Sequence, residues 1–107
     1  MYTNPQKRAI SETVELRKEA GRWLRDRREA RGLSQRQLAG LIGLEYYTFI
    51  SQLETGRGRI PPDKYQIWAH ALGMDARDFV LALLPFYDPT TYSILFPKKS
   101  TGGQTVG

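Results

Sequence analysis

Four glycines, Gly32, Gly43, Gly56 and Gly73, cut the middle of this 107-residue chain into short stretches whose apolar residues recur every three or four positions. That spacing is the signature of a helix with one buried face, and glycine is the residue that most readily ends a helix. Stops this close together rule out one long rod and point to several short helices folded against one another. A first helix is expected over about residues 12–31, from the cap candidate Ser11 through Val14, Leu16, Ala20, Trp23, Leu24 and Ala30 to Gly32. Ser34 caps a second, with Gln37 completing a capping box and Leu38, Ala39, Leu41 and Ile42 forming its apolar stripe up to Gly43. A third, about 45–55, carries Tyr46, Phe49, Ile50 and Leu53.

Gly58, Pro61 and Pro62 make residues 57–62 a loop, and Arg57 and Arg59 make it basic. Pro62-Asp63 opens a fourth helix with Ile67, Trp68, Ala71 and Leu72 facing inward, and Asp75 caps a fifth carrying Phe79, Val80, Leu83 and Leu84. Pro85 is expected to interrupt that helix. Asp88-Pro89 then starts a short segment through Tyr92, Ile94, Leu95 and Phe96, equally arguable as a sixth helix or a strand. Residues 1–10 read as an N-terminal arm without a core role, 11–84 as the folded domain, 85–97 as an apolar extension, and 98–107, polar and glycine-rich, as a disordered tail.

The chain has no cysteine, so disulfides, thiolate metal sites and thiol catalysis are excluded and packing alone must hold the fold. No apolar run approaches the roughly 18 residues of a membrane span, and the N-terminus lacks a signal-like stretch, so a cytoplasmic location without membrane contact is expected. The formal charge of +5 is uneven: residues 1–60 hold 12 Lys/Arg against 7 Asp/Glu, and residues 61–107 hold 4 of each. A surplus concentrated in one half suits a polyanionic partner, because each phosphate neutralised releases condensed counterions.

The block Gly32-Leu33-Ser34-Gln35-Arg36-Gln37-Leu38-Ala39, then Leu41-Ile42-Gly43, then Ile50-Ser51-Gln52-Leu53-Glu54-Thr55-Gly56-Arg57, closed by Pro62, Leu72 and Gly73, resembles the XRE family of Cro and phage-repressor helix-turn-helix domains over roughly residues 20–83. The resemblance implies an all-α, compact five-helix repressor-like bundle with the helix-turn-helix at helices 2 and 3, here followed by the short apolar segment and the flexible tail. It implies double-stranded DNA as partner, with helix 2 crossing the backbone and helix 3 entering the major groove. With Ile50 and Leu53 buried, Tyr47, Thr48, Ser51 and Gln52 form the outward, base-reading face; glutamine pairs with an adenine edge and Ser/Thr bond either base type. Ser34 and Gln35, at the start of helix 2, and Thr55, Arg57 and Arg59, in the following loop, are the expected phosphate contacts. In the resembling domains an arginine of helix 1 pairs with the glutamate of the Leu-Glu-x-Gly run, which assigns Arg28 and Glu54 to a structural ion pair. Against the common family spacing, one extra residue lies among Leu44 to Phe49, and Glu45 stands where a Ser/Thr cap is usual; the turn is therefore expected to be a residue longer.

Catalytic chemistry finds no support in the residues. His70 is the only histidine and has no partner ligands, and Glu12, Glu15, Glu19, Asp26 and Glu29 alternate with arginines as solvated salt-bridged faces do. There is no glycine-rich phosphate loop, nucleophile elbow or zinc motif. No enzyme activity, cofactor or metal is expected. Because one helix-turn-helix contacts few bases, a homodimer on an inverted-repeat operator is expected, acting as a transcriptional repressor. Phe86, Tyr87, Tyr92, Ile94, Leu95 and Phe96 are the dimer-contact candidates, the other reading being that they fold back onto helix 1 and Trp23. Two further readings are an antitoxin whose tail folds on a toxin, and an adaptor docking an unknown protein partner through Tyr46, Tyr47 and Phe49.

Overall fold

The computed structural model describes residues 5–98, with side chains from Ile10 onward, and within them every regular element is helical. Residues 1–4 of the expected arm and 99–107 of the expected tail lie outside the described residues. Helix α1 spans Pro5–Ala30, so residues 5–10 are its first turns and not an arm. Proline suits a first helical position, where its fixed φ is already helical and its missing N–H costs nothing. Farther along the helix Ile10 and Val14 are exposed, whereas Ala20, Leu24 and Arg28, spaced four residues apart, are buried.

Helix α2, Gln35–Ile42, begins with the capping box: the Gln37 N–H donates to Ser34 Oγ at 3.0 Å and the Ser34 N–H donates to Gln37 Oε1 at 2.8 Å. It ends at Gly43, whose φ of 83° lets the Leu44 N–H turn back to the Ala39 carbonyl at 2.8 Å. A Cβ at this φ would meet the following carbonyl, which is why glycine closes the helix. Leu38, Ala39 and Ile42 face inward, but Leu41, placed in the stripe by sequence, is exposed.

Helix α3 spans Thr48–Glu54, three residues later than the apolar pattern suggested, and residues 44–47 extend the turn. Tyr47 occupies its cap position without a side-chain cap bond, so nothing in Glu45 or Tyr46 nucleates an earlier start. A 3-10 turn at Pro62–Lys64 leads into α4, Tyr65–Ala71. Trp68, Ala69, Ala71 and Leu72 are its buried face, and the neighbouring Ile67 is turned outward at 40% exposure.

Helix α5 spans Ala76–Tyr87 and is capped by Asp75, which accepts the Asp78 N–H. It buries Phe79, Leu83 and Tyr87 at four-residue intervals and runs through Pro85 instead of stopping there. Proline inside a helix costs about 3 kcal/mol; burial of Tyr87, whose Oη accepts the Ile60 N–H at 3.2 Å, opposes that cost at the far end. Helix α6, Pro89–Leu95, resolves the helix-or-strand alternative. Asp88 caps it by accepting from the Thr91 N–H at 3.1 Å and Oγ1 at 2.7 Å, and these bonds hold its carboxyl below the usual range.

The core lies where the C-terminal half of α1 packs on α3 and α5 and where α4 packs on α2 and α5. Leu24, Leu38, Ile50, Leu53, Ile60, Trp68, Phe79 and Leu83 are almost wholly removed from water, each contributing about 2 kcal/mol of burial. Trp23 packs on Phe79 with ring centroids 5.7 Å apart, and Tyr65 meets the same ring edge-on at 6.3 Å. Tyr87 is part of this core, which removes it from the dimer-contact set, and Phe86 packs against the core while keeping part of its surface. Tyr92 is half-buried with its ring 5.0 Å from Phe96, while Ile94, Leu95 and Phe96 are exposed.

Candidate nucleic-acid interface

Seven residues of α3 fix an inside and an outside. Ile50 and Leu53 are buried and Phe49 packs against the core, which turns Tyr47, Thr48 and Gln52 to solvent with Ser51 partly exposed beside them. The four residues proposed for base reading therefore share one outward face, beginning at the free N-terminal end of the helix.

That helix is held in place from behind. Arg28 donates to Glu54 through two bonds, Nε to Oε2 at 2.6 Å and Nη2 to Oε1 at 3.0 Å, and its Nη1 donates to the Leu33 carbonyl at 2.7 Å. The bond to Glu54 is the main reason the guanidinium binds its proton more tightly than usual, against the opposing effect of burial. Gln35 Nε2 donates to the same Glu54 Oε1 at 3.0 Å. One carboxylate thus ties α1, the start of α2 and the end of α3 together. Gly21 permits the closeness of α1 to α3: a Cβ there would stand 2.5 Å from the carbonyl oxygens of Leu53 and Glu54.

The residues assigned to phosphate divide on inspection. Arg57 is exposed beside the end of α3, and its backbone N–H closes the helix on the Gln52 carbonyl at 2.8 Å. Ser34 Oγ accepts the cap bond but keeps its own hydrogen to donate. The Gln35 amide is committed to Glu54, leaving its backbone N–H, in the first turn of α2, as the group that faces an anion. Thr55 Oγ1 donates to the Ser51 and Gln52 carbonyls at 3.1 Å each, a helix-ending role.

Arg59 turns inward and leaves the set. Its guanidinium lies 4.6 Å from the Tyr87 ring centroid, its Nη2 donates to Tyr65 Oη at 2.8 Å, and its Nε is buried. Arg17 of α1 approaches the same ring at 5.7 Å. A cation over an aromatic face, out of water, is a packing element, and a tyrosine 28 positions away could not be paired with Arg59 from the sequence.

Two residues outside the expected DNA contacts lie against this face, one of them, Tyr46, named above only for the adaptor alternative. Arg36 is exposed on α2 with its guanidinium 5.2 Å from the ring centroid of Tyr47. Tyr46, 70% exposed, borders an open groove that Arg36 and Tyr47 also line. Among the described residues no three His, Cys, Asp or Glu side chains converge as metal ligands, and no helix is long and apolar enough to cross a membrane.

A helix-turn-helix domain family matches residues 19–82, from the buried half of α1 to within α5. No curated protein matches the chain. The matched segment contains the α2–turn–α3 unit, the Glu54 tie and the exposed face of α3, and it covers more than half of the 107 residues. The chain belongs to this helix-turn-helix domain family, whose members are XRE-like DNA-binding domains.

Proposed function

We propose that the protein is a sequence-specific regulator of transcription that binds double-stranded DNA as a homodimer and represses by occupying an inverted-repeat operator. The observation that carries this reading is the exposed face Tyr47, Thr48, Ser51 and Gln52 on a helix whose other side, Ile50 and Leu53, is locked into the core. Such a face offers hydrogen-bond donors and acceptors to base edges at no conformational cost to the fold. Arg57 and the start of α2 flank it and supply the phosphate contacts that set register on the duplex. Dimerisation follows from the two-fold symmetry of DNA and the few bases one unit reaches. The exposed Ile94, Leu95 and Phe96 are an apolar surface available for it. We assign no catalytic role, cofactor or metal to the chain, and the cytoplasm is the compartment consistent with this activity.

Selection of bound duplexes from a random pool tests the reading. Enrichment of an inverted repeat with half-sites about one helical turn apart supports a dimeric regulator; an unenriched pool contradicts sequence-specific binding.

A further inference from the structure

The arginines nearest the interface mostly have partners. Arg25 pairs with Glu29, Arg28 with Glu54, and Arg59 with Tyr65 and Tyr87. Arg57 and Arg36 do not: among the described residues no carboxylate or carbonyl bonds to the guanidinium of either, and Arg36 alone of the two lies over a ring, that of Tyr47. The donors of the Arg36 guanidinium are thus unspent, while its Cζ lies over the ring of the residue that opens α3.

The surroundings leave room for a base. Arg36, Gly40, Leu44, Glu45, Tyr46 and Tyr47 border an open groove of about 340 Å³. At Gly40, one turn beyond Arg36, even a Cβ would meet nothing within 4 Å. Glu45 borders the groove without forming an ion pair with Arg36. An arginine resting over an aromatic face keeps its planar fork of donors free, and guanine is the base whose major-groove edge offers two acceptors, O6 and N7, at matching separation. Stacking also removes much of the rotamer freedom that an extended arginine would lose on binding.

We infer that Arg36, with Tyr47 as its platform, is a further specificity-determining residue, reading a guanine at one position of each half-site through a bidentate contact. This rests on the DNA-binding reading above and adds a residue of α2 to the α3 face. Tyr47 then has two tasks, orienting Arg36 and contacting the DNA itself.

The test repeats duplex selection with the wild-type chain and with Arg36→Ala, Arg36→Lys and Tyr47→Leu, using thermal melting to confirm that each variant folds. The wild type is expected to enrich a guanine that Arg36→Ala no longer selects, with discrimination at that position falling about tenfold to a hundredfold. Arg36→Lys keeps overall affinity but loses most of that discrimination, and Tyr47→Leu weakens it. Replacing the guanine by 7-deazaguanine should weaken the wild type and leave Arg36→Ala unaffected. If Arg36→Ala instead weakens all duplexes equally and keeps the wild-type motif, Arg36 is a phosphate contact and the inference fails while DNA reading stands. If the wild type enriches no motif, the DNA-binding reading fails, and this inference with it.

Discussion

Arg28 and Glu54, 26 positions apart, meet through two hydrogen bonds with their side chains only 9% and 5% exposed. A pair this enclosed is worth little over an apolar replacement of both partners, but losing one partner strands a charge. Arg28→Ala and Glu54→Ala are each expected to cost about 3 kcal/mol in denaturant unfolding. The double variant should cost clearly less than the sum, and strict additivity would show that the two residues are not coupled.

Gly21 is where α1 presses on the end of α3, and the atoms a methyl would meet are backbone carbonyl oxygens that cannot swing aside. In an open helix Gly→Ala stabilises by up to about 1 kcal/mol. Here the sign reverses: Gly21→Ala should destabilise by about 2 kcal/mol and displace α3. A raised melting temperature would mean that α1 and α3 are not in contact at this point.

Arg57 and Arg59, two residues apart, are expected to behave oppositely. Arg57→Ala should leave melting unchanged, weaken binding to every duplex alike and lower the salt slope by about 0.9 for one lost phosphate. Arg59→Ala removes the stack on Tyr87 and the bond to Tyr65, and should lower the melting temperature with the salt slope of the folded protein intact. An unchanged salt slope in Arg57→Ala contradicts its assignment as a phosphate contact.

Burial raises the pKa of the Tyr87 phenol, outweighing the Ile60 N–H bond and the nearby Arg59 and Arg17, which lower it. In the unfolded chain a tyrosine titrates near about 10. The folded state therefore favours the neutral phenol. Its contribution is complete below about pH 10 and is lost as pH rises from there through the higher folded value. Stability measured against pH should fall on this alkaline limb, and Tyr87→Phe should flatten it while costing about 1–2 kcal/mol at neutral pH for the unsatisfied Ile60 N–H. Identical alkaline limbs would show that Tyr87 ionises equally in both states.

Gln52 is exposed on the reading face and outside the core. Gln52→Ala is expected to retain the wild-type melting temperature and to relax preference at one base pair per half-site by about 1–3 kcal/mol, measured by titrating operators changed one position at a time. Loss of folding would place Gln52 on the wrong side of α3.

What could be read from the sequence was what depends on neighbours within a turn or two. Ser34, Gln37 and Gly43 delimit α2 through bonds spanning three to five residues, and Ile50 and Leu53 set the facing of α3. The family resemblance supplied Arg28 with Glu54. Distance in the chain hid the rest. Arg59 looked like a phosphate clamp because its loop is basic; its partner Tyr87 lies beyond Pro85, where the helix appeared to end. Gly21 has an ordinary place in a helical pattern, and only packing shows that no larger residue fits. Arg36 carries no signal of a role in the sequence, because its neighbour Tyr47 lies 11 positions away on another element.

The most direct test of the central claim is titration of the wild-type chain, at two salt concentrations, with the selected duplex and with a scrambled duplex of the same composition. The account predicts that the selected duplex binds at least about 10³-fold more tightly and that both affinities fall steeply as salt rises. Equal affinity for the two duplexes, or no binding at either salt concentration, would contradict it.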